Sequence, residues 1–230
     1  MPGAHAFEQV IAANLDQVIP VFAAANPKPK WHLLDRYLVT AESYGIPATV
    51  VVTKFDLVRG KYKESELMTL IARYRAIGYP VILTSAKEGE GLEALQQILT
   101  NCQSVLVGKS GVGKTSLLNA LEPGLGLRVK ANNQKTGKGR HTTSHLEMFP
   151  LEGGGAIIDT PGVREFGIWG LAPEDIVYFF PEMAPLLGQC KFGLSCQHDE
   201  EPGCAIRQAV MAGSISPYRY QSYLRLKADL

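Results

Sequence analysis

The 230-residue chain is short of several things, and each shortage removes a class of protein. Its four cysteines are too few and too unevenly placed for a disulfide framework. Cys102 stands alone, whereas Cys190, Cys196 and Cys204 crowd around His198, an arrangement better suited to a metal than to pairing. Charge imbalance is almost absent: a formal net charge of +1 gives no global pull toward nucleic acid or an anionic membrane, so any such attraction must come from local patches. No apolar run reaches the length of a membrane span, and the N-terminus lacks the charged start and apolar stretch of a signal peptide. These absences predict a cytoplasmic protein without a membrane partner. Internal repeats and low-complexity tracts are also missing. What the chain does have is apolar content, 46% of its residues, enough for one large domain or a medium domain with a small appendage.

Runs at Val18–Ala24, Ala48–Thr53, Val81–Ser85, Ser104–Val107 and Gly155–Asp159 are mostly continuous apolar stretches without alternation, which predicts strands buried on both faces. Between the early ones, His32–Tyr44, Ser65–Ile77 and Leu92–Leu99 carry apolar residues at helical spacing. Strand and helix in alternation predict the α/β class with a mostly parallel sheet. Residues Leu125–Thr143 break the rhythm, with Lys130, Lys135, Lys138, Arg140 and His141 among glycines and asparagines, and are expected to form a surface loop. His145–Pro150 is expected to pair as an edge strand with Gly155–Asp159 across Gly153-Gly154-Gly155. After Gly170 the sheet pattern stops, and Pro173–Phe180, Ala205–Ala212 and Pro217–Leu230 read as helices. The expected division is a domain over residues 1–170 and a small helical domain over residues 171–230.

Gly108-Lys109-Ser110-Gly111-Val112-Gly113-Lys114-Thr115 fits the pattern G-x-x-x-x-G-K-[ST], lies after the strand Ser104–Val107 and opens the helical run Thr115–Leu121. This is the pattern of a phosphate-binding loop, whose glycines let backbone N–H groups face phosphate oxygens at a helix N-terminus. Lys114 adds a point charge, Thr115 offers a hydroxyl to magnesium, and Ser116 follows as a further candidate contact. Asp159-Thr160-Pro161-Gly162 ends a second strand, where the aspartate can hold magnesium through water and the Gly162 N–H can approach a γ-phosphate. Two more strand ends carry Thr53-Lys54-Phe55-Asp56 and Thr84-Ser85-Ala86-Lys87. They resemble the NKxD and SAK motifs by which GTPases read guanine, the aspartate accepting from the N1 and 2-amino groups. Adenine presents the wrong donors there. Thr53 stands in place of the usual asparagine, which removes a carboxamide that braces the base and the phosphate loop.

Downstream, Cys190-x5-Cys196-x-His198-x5-Cys204 offers three thiolates and an imidazole, a ligand set for tetrahedral zinc in a closed structural site. Zinc would hold together a stretch with too few apolar residues for a core of its own.

The order is the sharper clue. Base-reading motifs come first, the phosphate loop next, and the threonine-bearing loop and DTPG last, which is the order of a circularly permuted P-loop GTPase. Permutation is tolerable when the original termini lie close together. With Gly139-Arg140-His141-Thr142-Thr143, the run Asp159 to Gly167 and the cysteine cluster, this order resembles the bacterial ribosome small subunit-dependent GTPase A family, from roughly Ile11 to the C-terminus. The resemblance implies a factor that binds and hydrolyses GTP in late maturation of the small ribosomal subunit. GTP/GDP, Mg2+ and Zn2+ are then its cofactors, and the subunit and its rRNA its partners, with Lys130 to Arg140 a candidate contact to RNA phosphates. A monomer is expected.

Lys114, together with magnesium held by Thr115 and by Thr142 or Thr143, would neutralise the transferring phosphoryl group. Val163 follows DTPG where Ras-like enzymes carry a water-orienting glutamine, so intrinsic hydrolysis is expected to be slow. His141 is then the candidate to orient the water once a partner orders its loop. The family pattern has one residue fewer between the first two cysteines. Members also usually carry an OB-fold ahead of the GTPase domain, which Met1 to Val10 cannot encode, leaving either a piece of a longer member or a reduced one. Two rival readings remain: a slow nucleotide-regulated ribosome-binding module, and an ATP-using P-loop kinase, against which Asp56 and Ser85-Ala86-Lys87 argue.

Overall fold

A computed structural model describes residues 13–127, 147–159 and 170–230. Its sheet contains β1 (Gln17–Ala23), β2 (Val50–Thr53), β3 (Val81–Leu83), β4 (Cys102–Val107), β5 (Glu147–Pro150) and β6 (Gly155–Asp159), in the order β3-β2-β1-β4-β6-β5. All neighbours pair parallel except β5, which pairs antiparallel with β6 at the edge. The hairpin between them turns through Gly154 and Gly155 at positive φ, and a Cβ on Gly155 would lie 2.4 Å from the Cys102 carbonyl oxygen, so only glycine fits this close strand approach.

The helices α1 (His32–Ser43), α2 (Tyr62–Ala76), α3 (Leu92–Leu99) and α4 (Lys114–Leu121) cover both faces. Strand alternation divides the core cleanly. Val18, Phe22, Val50, Val52, Val105 and Val107 face α1 and α2, while Ile19, Val21, Val51 and Leu106 face α3 and α4. This two-sided burial is why the strand sequences show continuous apolar runs. Leu38, Leu95 and Leu118 are wholly buried, and truncating any of them to alanine would cost about 2–5 kcal/mol.

Most element bounds lie within one or two residues of the sequence expectation, and two elements differ in other ways. Helix α2 starts at Tyr62 instead of Ser65, because the Glu64 carboxylate accepts a hydrogen bond from the Gly60 N–H at 2.5 Å and ties down the entering turn. Pro173–Phe180, which reads as a helix, forms a 3-10 helix over Pro173–Phe179. Pro181 follows Phe180 and drives that residue into extended backbone, which ends the segment before a longer ladder can form.

The C-terminal region carries α5 (Ala205–Met211) and α6 (Pro217–Ala228). The metal-bearing stretch shares a core that neighbouring elements supply. Cys190, Cys196 and Cys204 are themselves part of a buried cluster with Ile176, Phe180, Met183, Ile206, Tyr223 and Leu226, and the cluster borrows Val39 from α1.

Beside that seam, Arg219 of α6 donates to Asp35 of α1 at 2.6 Å and to both carboxylate oxygens of Glu182 at 2.6 and 3.1 Å. Its guanidinium stacks 4.5 Å from the Phe180 ring centroid, and the Tyr74 hydroxyl donates to the same Asp35 oxygen at 2.8 Å. Asp35 is fully buried, so this ion-pair network fastens the C-terminal region to the sheet-covering helices.

Candidate nucleotide site and metal centre

Because β2, β3, β4 and β6 run parallel, Thr53, Ser85, Gly108 and Asp159 all emerge at one edge of the sheet. Ligands of open α/β sheets bind at such carboxyl edges. The structure thus brings together motifs that are up to about a hundred residues apart in the chain.

The phosphate loop begins where β4 passes β1. A Cβ on Gly108 would sit 2.4 Å from the Val21 carbonyl oxygen, so the loop can leave the sheet only as glycine. Gly111 and Gly113 take positive φ, and Gly113 caps α4. Among the described residues nothing accepts a hydrogen bond from the N–H of Ser110, Gly111 or Gly113, which leaves these donors available to phosphate oxygens at the α4 N-terminus. Buried Lys114 reaches back to the Gly108 carbonyl at 2.8 Å, holding its ammonium across the loop's mouth. Thr115 and Ser116 are half-buried at the first turn of α4, and Lys109 and Ser110 are exposed.

The loops that carry Thr53 to Asp56 and Ser85 to Lys87 are held by several contacts. Lys54 adopts left-handed backbone, and its ammonium donates to the Asn26 and Gly111 carbonyls, the latter at 2.8 Å, so it spans from the β1–α1 loop to the phosphate loop. Burial pulls the Lys54 pKa below the usual lysine range, opposed by Asp56. Phe55 is buried in the α1/α2 core and fixes the start of the turn that carries Asp56. The Ser85 hydroxyl donates to Asp56 Oδ1 at 2.8 Å and so fixes the orientation of the carboxylate. The loop Ser85–Glu90 is closed by reciprocal backbone bonds between its ends and clamped by Arg59, which pairs with both Glu88, at 2.8 Å, and Glu90. Ala86 is half-buried and Lys87 exposed on this loop. Gly91 then must be glycine, since a Cβ there would meet the Leu83 carbonyl at 2.0 Å.

Thr53 corrects one expectation. Its hydroxyl is buried and contacts the Val112 carbonyl of the phosphate loop and, at 3.3 Å, the Phe22 carbonyl. The link between base motif and phosphate loop therefore survives the loss of the carboxamide, through a shorter side chain.

Asp159 ends β6 in register with Leu106 of β4, two residues before the phosphate loop begins at Gly108. His141, Thr142, Thr143, Gly162 and Val163, with the basic residues Lys130 to Arg140, lie outside the described residues.

The four sulfur and nitrogen donors of Cys190, Cys196, His198 and Cys204 lie within 4.8 Å of one another, all buried. His198 Nδ1 is 3.5 Å from the Cys190 sulfur and 3.6 Å from that of Cys204, and those two sulfurs are 4.0 Å apart. Tetrahedral zinc with Zn–S near 2.3 Å and Zn–N near 2.0 Å would place its ligands about 3.5–3.8 Å apart, so the donor set fits such an ion. Burial, before its sulfur neighbours, pushes the Cys196 thiol up to about 12, a penalty that a bound cation reverses. Burial likewise lowers the His198 pKa, keeping the imidazole neutral and its lone pair available.

The six-residue step from Cys190 to Cys196 is taken up by a 3-10 turn at Gly193–Ser195. Helix α6 holds the opposite side: the Tyr220 hydroxyl donates to the His198 and Asp199 carbonyls at 2.8 and 3.0 Å, and Lys227 to the Gln197 carbonyl at 2.8 Å. These supporting contacts have no sequence signal, because bonds to carbonyl oxygens leave no residue-type signature.

A family model described as RsgA GTPase matches residues 2–169. The chain belongs to the RsgA GTPase family. It is a circularly permuted GTPase, and guanine nucleotide with magnesium follows from membership. It is 50% identical to the small ribosomal subunit biogenesis GTPase RsgA of Gemmatimonas aurantiaca over 100% of this chain and 73% of the relative. Its counterpart from Marinobacter nauticus is 46% identical over 96% of this chain and 62% of its own length. Among solved structures, the crystal structure of YjeQ from Thermotoga maritima superposes with a TM-score of 0.80 at 34% identity, covering 94% of this chain and 72% of that one. YloQ, described as a circularly permuted GTPase, superposes with a TM-score of 0.74 at 33% identity over 94% and 68% of the two chains. The chain thus spans roughly two thirds to three quarters of the RsgA relatives named here. No helix among the described residues is long and apolar enough to cross a membrane.

Proposed function

We propose that this RsgA-family chain is a GTPase that acts in maturation of the small ribosomal subunit in the cytoplasm, with turnover raised by the subunit and its rRNA. The observation that carries the reading is the single sheet edge at which Asp56, Ser85, the phosphate loop and Asp159 converge. Relatives of this family are named as small ribosomal subunit biogenesis GTPases, which supplies the partner. The N–H groups of Ser110, Gly111 and Gly113 would bind the β- and γ-phosphates, with Lys114 neutralising charge that grows on the transferring group. Magnesium would be held by Thr115 directly, by a threonine at 142 or 143, and by Asp159 through water. With Val163 unable to orient the attacking water, His141 takes that role once the subunit orders its loop.

Steady-state GTP hydrolysis with and without purified small subunits is the test. The wild type should accelerate on the order of tenfold or more. His141→Ala should keep basal turnover and GDP affinity but lose most of the acceleration. No acceleration of the wild type would leave a slow nucleotide-regulated binding module, and full acceleration of the variant would remove His141 from the mechanism.

The Cys190, Cys196, His198 and Cys204 set would hold one zinc ion in a closed structural site, with the GTPase and C-terminal domains meeting near residue 170. Zinc there supplies cohesion, not chemistry. Chelation should release one equivalent of zinc per chain and speed amide exchange across residues 190–204 and in α6, with GDP affinity changed less than about threefold. A metal-free protein with unchanged exchange would contradict the assignment.

A further inference from the structure

An exposed arginine that belongs to neither base-reading motif joins the two loops that carry them. Arg59 lies three residues after Asp56 on the turn that leaves β2, and its N–H donates to the Phe55 carbonyl at 3.2 Å. Its guanidinium lies 5.4 Å from the centroid of the buried Phe55 ring and reaches across to the loop Ser85–Glu90, where it pairs with Glu88 at 2.8 Å and with Glu90. Glu90 closes that loop by exchanging backbone bonds with Ser85 at 3.0 and 3.1 Å. Glu88 acts on Ser85 as well: its N–H donates to the Ser85 hydroxyl oxygen at 3.3 Å, and that hydroxyl donates in turn to Asp56 Oδ1 at 2.8 Å. Arg59 thus holds the two residues that shape the loop presenting Ser85 to Asp56.

Stability is a weak reason for this cluster. The side chains of Arg59, Glu88 and Glu90 are 44%, 41% and 40% exposed, and ion pairs so open to water add little to the folding free energy. At the root of the two loops the Phe55 N–H already donates to the Thr84 carbonyl at 3.1 Å, which fixes where they start but leaves their far ends to side chains. A planar guanidinium can hold two carboxylates at once in a fixed fork, which an ammonium cannot. Contacts that order a loop in advance reduce the entropy lost when a ligand arrives, and a carboxylate that must meet two adjacent donors of a flat base tolerates little play.

We propose that Arg59 is a positioning residue for base recognition: by gripping Glu88 and Glu90 it keeps the Ser85 loop against the Asp56 turn and so sets how sharply the site distinguishes guanine from other purines. The inference rests on the reading that Asp56 and Ser85 face the base. Arg59 itself acts only through the loop, so its removal should blunt the choice of base while leaving the phosphate loop intact.

The test compares the affinities of GDP and of inosine diphosphate, which differ only in the 2-amino group, so that contributions from ribose and phosphates cancel in their ratio. The wild type should prefer GDP by about tenfold or more, the range for a hydrogen bond to a charged group. Arg59→Met keeps an apolar stem over Phe55 but removes the charge, and it should shrink that preference at least about threefold. Glu88→Gln/Glu90→Gln should shrink it to a similar extent. Adding Arg59→Met to that pair should change the preference by less than about 1.5-fold further, because residues that act through one network are not additive. An unchanged preference in Arg59→Met, whether both affinities hold or both fall together, would overturn the positioning role and leave surface ion pairs. Fully additive losses would overturn it too, since Arg59 would then act by a route other than the two glutamates. A wild type that binds both diphosphates equally would overturn the base-reading role of Asp56, and this proposal with it.

Discussion

Asp56→Asn is expected to weaken GTP binding by 10² to 10⁴, on the order of the penalty for mispaired buried polar groups, and to create affinity for xanthosine triphosphate. Guanine presents two adjacent donors, N1–H and the 2-amino group, and a carboxylate accepts both. The Ser85 hydroxyl, 2.8 Å from Asp56 Oδ1, fixes that carboxylate in place, so it pays little ordering entropy when the base arrives. An asparagine in the same position turns one acceptor into a donor that faces the guanine N–H groups. Xanthine carries a carbonyl where guanine carries the amine and accepts from that donor. Affinities of both triphosphates for the two proteins, by competition against a fluorescent GDP analogue, decide the matter. Equal GTP affinity in wild type and variant would take Asp56 out of base recognition. Because Asp56 is half-buried, water offsets part of the mismatch and the effect falls in the lower part of that range.

Arg219→Met should destabilise the fold by about 3–5 kcal/mol, the usual cost of leaving buried charges without their partner. Arg219 and Asp35 are 3% and 0% exposed in their side chains, and Glu182 is 8% exposed, so removing the guanidinium strands two carboxylates away from water. One Asp35 oxygen, Oδ2, already has no partner and cannot absorb the loss. At about 2–4 °C per kcal/mol for a chain of this size, the melting midpoint should fall by roughly 10 °C. Arg219→Lys should rescue little, since an ammonium cannot pair with both Glu182 oxygens, reach Asp35 and stack on Phe180 at once. A drop below about 2 °C for Arg219→Met would mean that the network costs as much to desolvate as it returns.

These two predictions mark the two sides of what the sequence could tell. The phosphate loop, Asp56 with Ser85, and the cysteine cluster are legible because their chemistry demands particular residue types at fixed short spacings, and parallel strands bring such loops to one edge. The permuted order was legible for the same reason. Arg219 and Asp35 are separated by 184 residues, and neither stands in a pattern that announces the other. Lys54 was recognised as part of a motif, but its bond to the Gly111 carbonyl depends on left-handed backbone at that residue, which composition does not specify. Thr53 reads as the loss of a brace because the motif is defined by its carboxamide. In the fold the β2 end lies close enough to Val112 for a hydroxyl to do that work. Pro173–Phe180 reads as a helix, but apolar spacing over so few residues does not specify the 3-10 ladder that the structure shows over Pro173–Phe179.

The central claim is that the edge formed by β2, β3 and β4 reads guanine through motifs placed ahead of the phosphate loop in the chain. Equilibrium competition of GTP and of ATP against a fluorescent GDP analogue, in magnesium, tests it most directly. GTP should displace the probe at concentrations at least about a hundredfold below those ATP requires, by the logic of unpaired donors and acceptors in the base site. Displacement by ATP at the same concentrations as GTP would contradict the account.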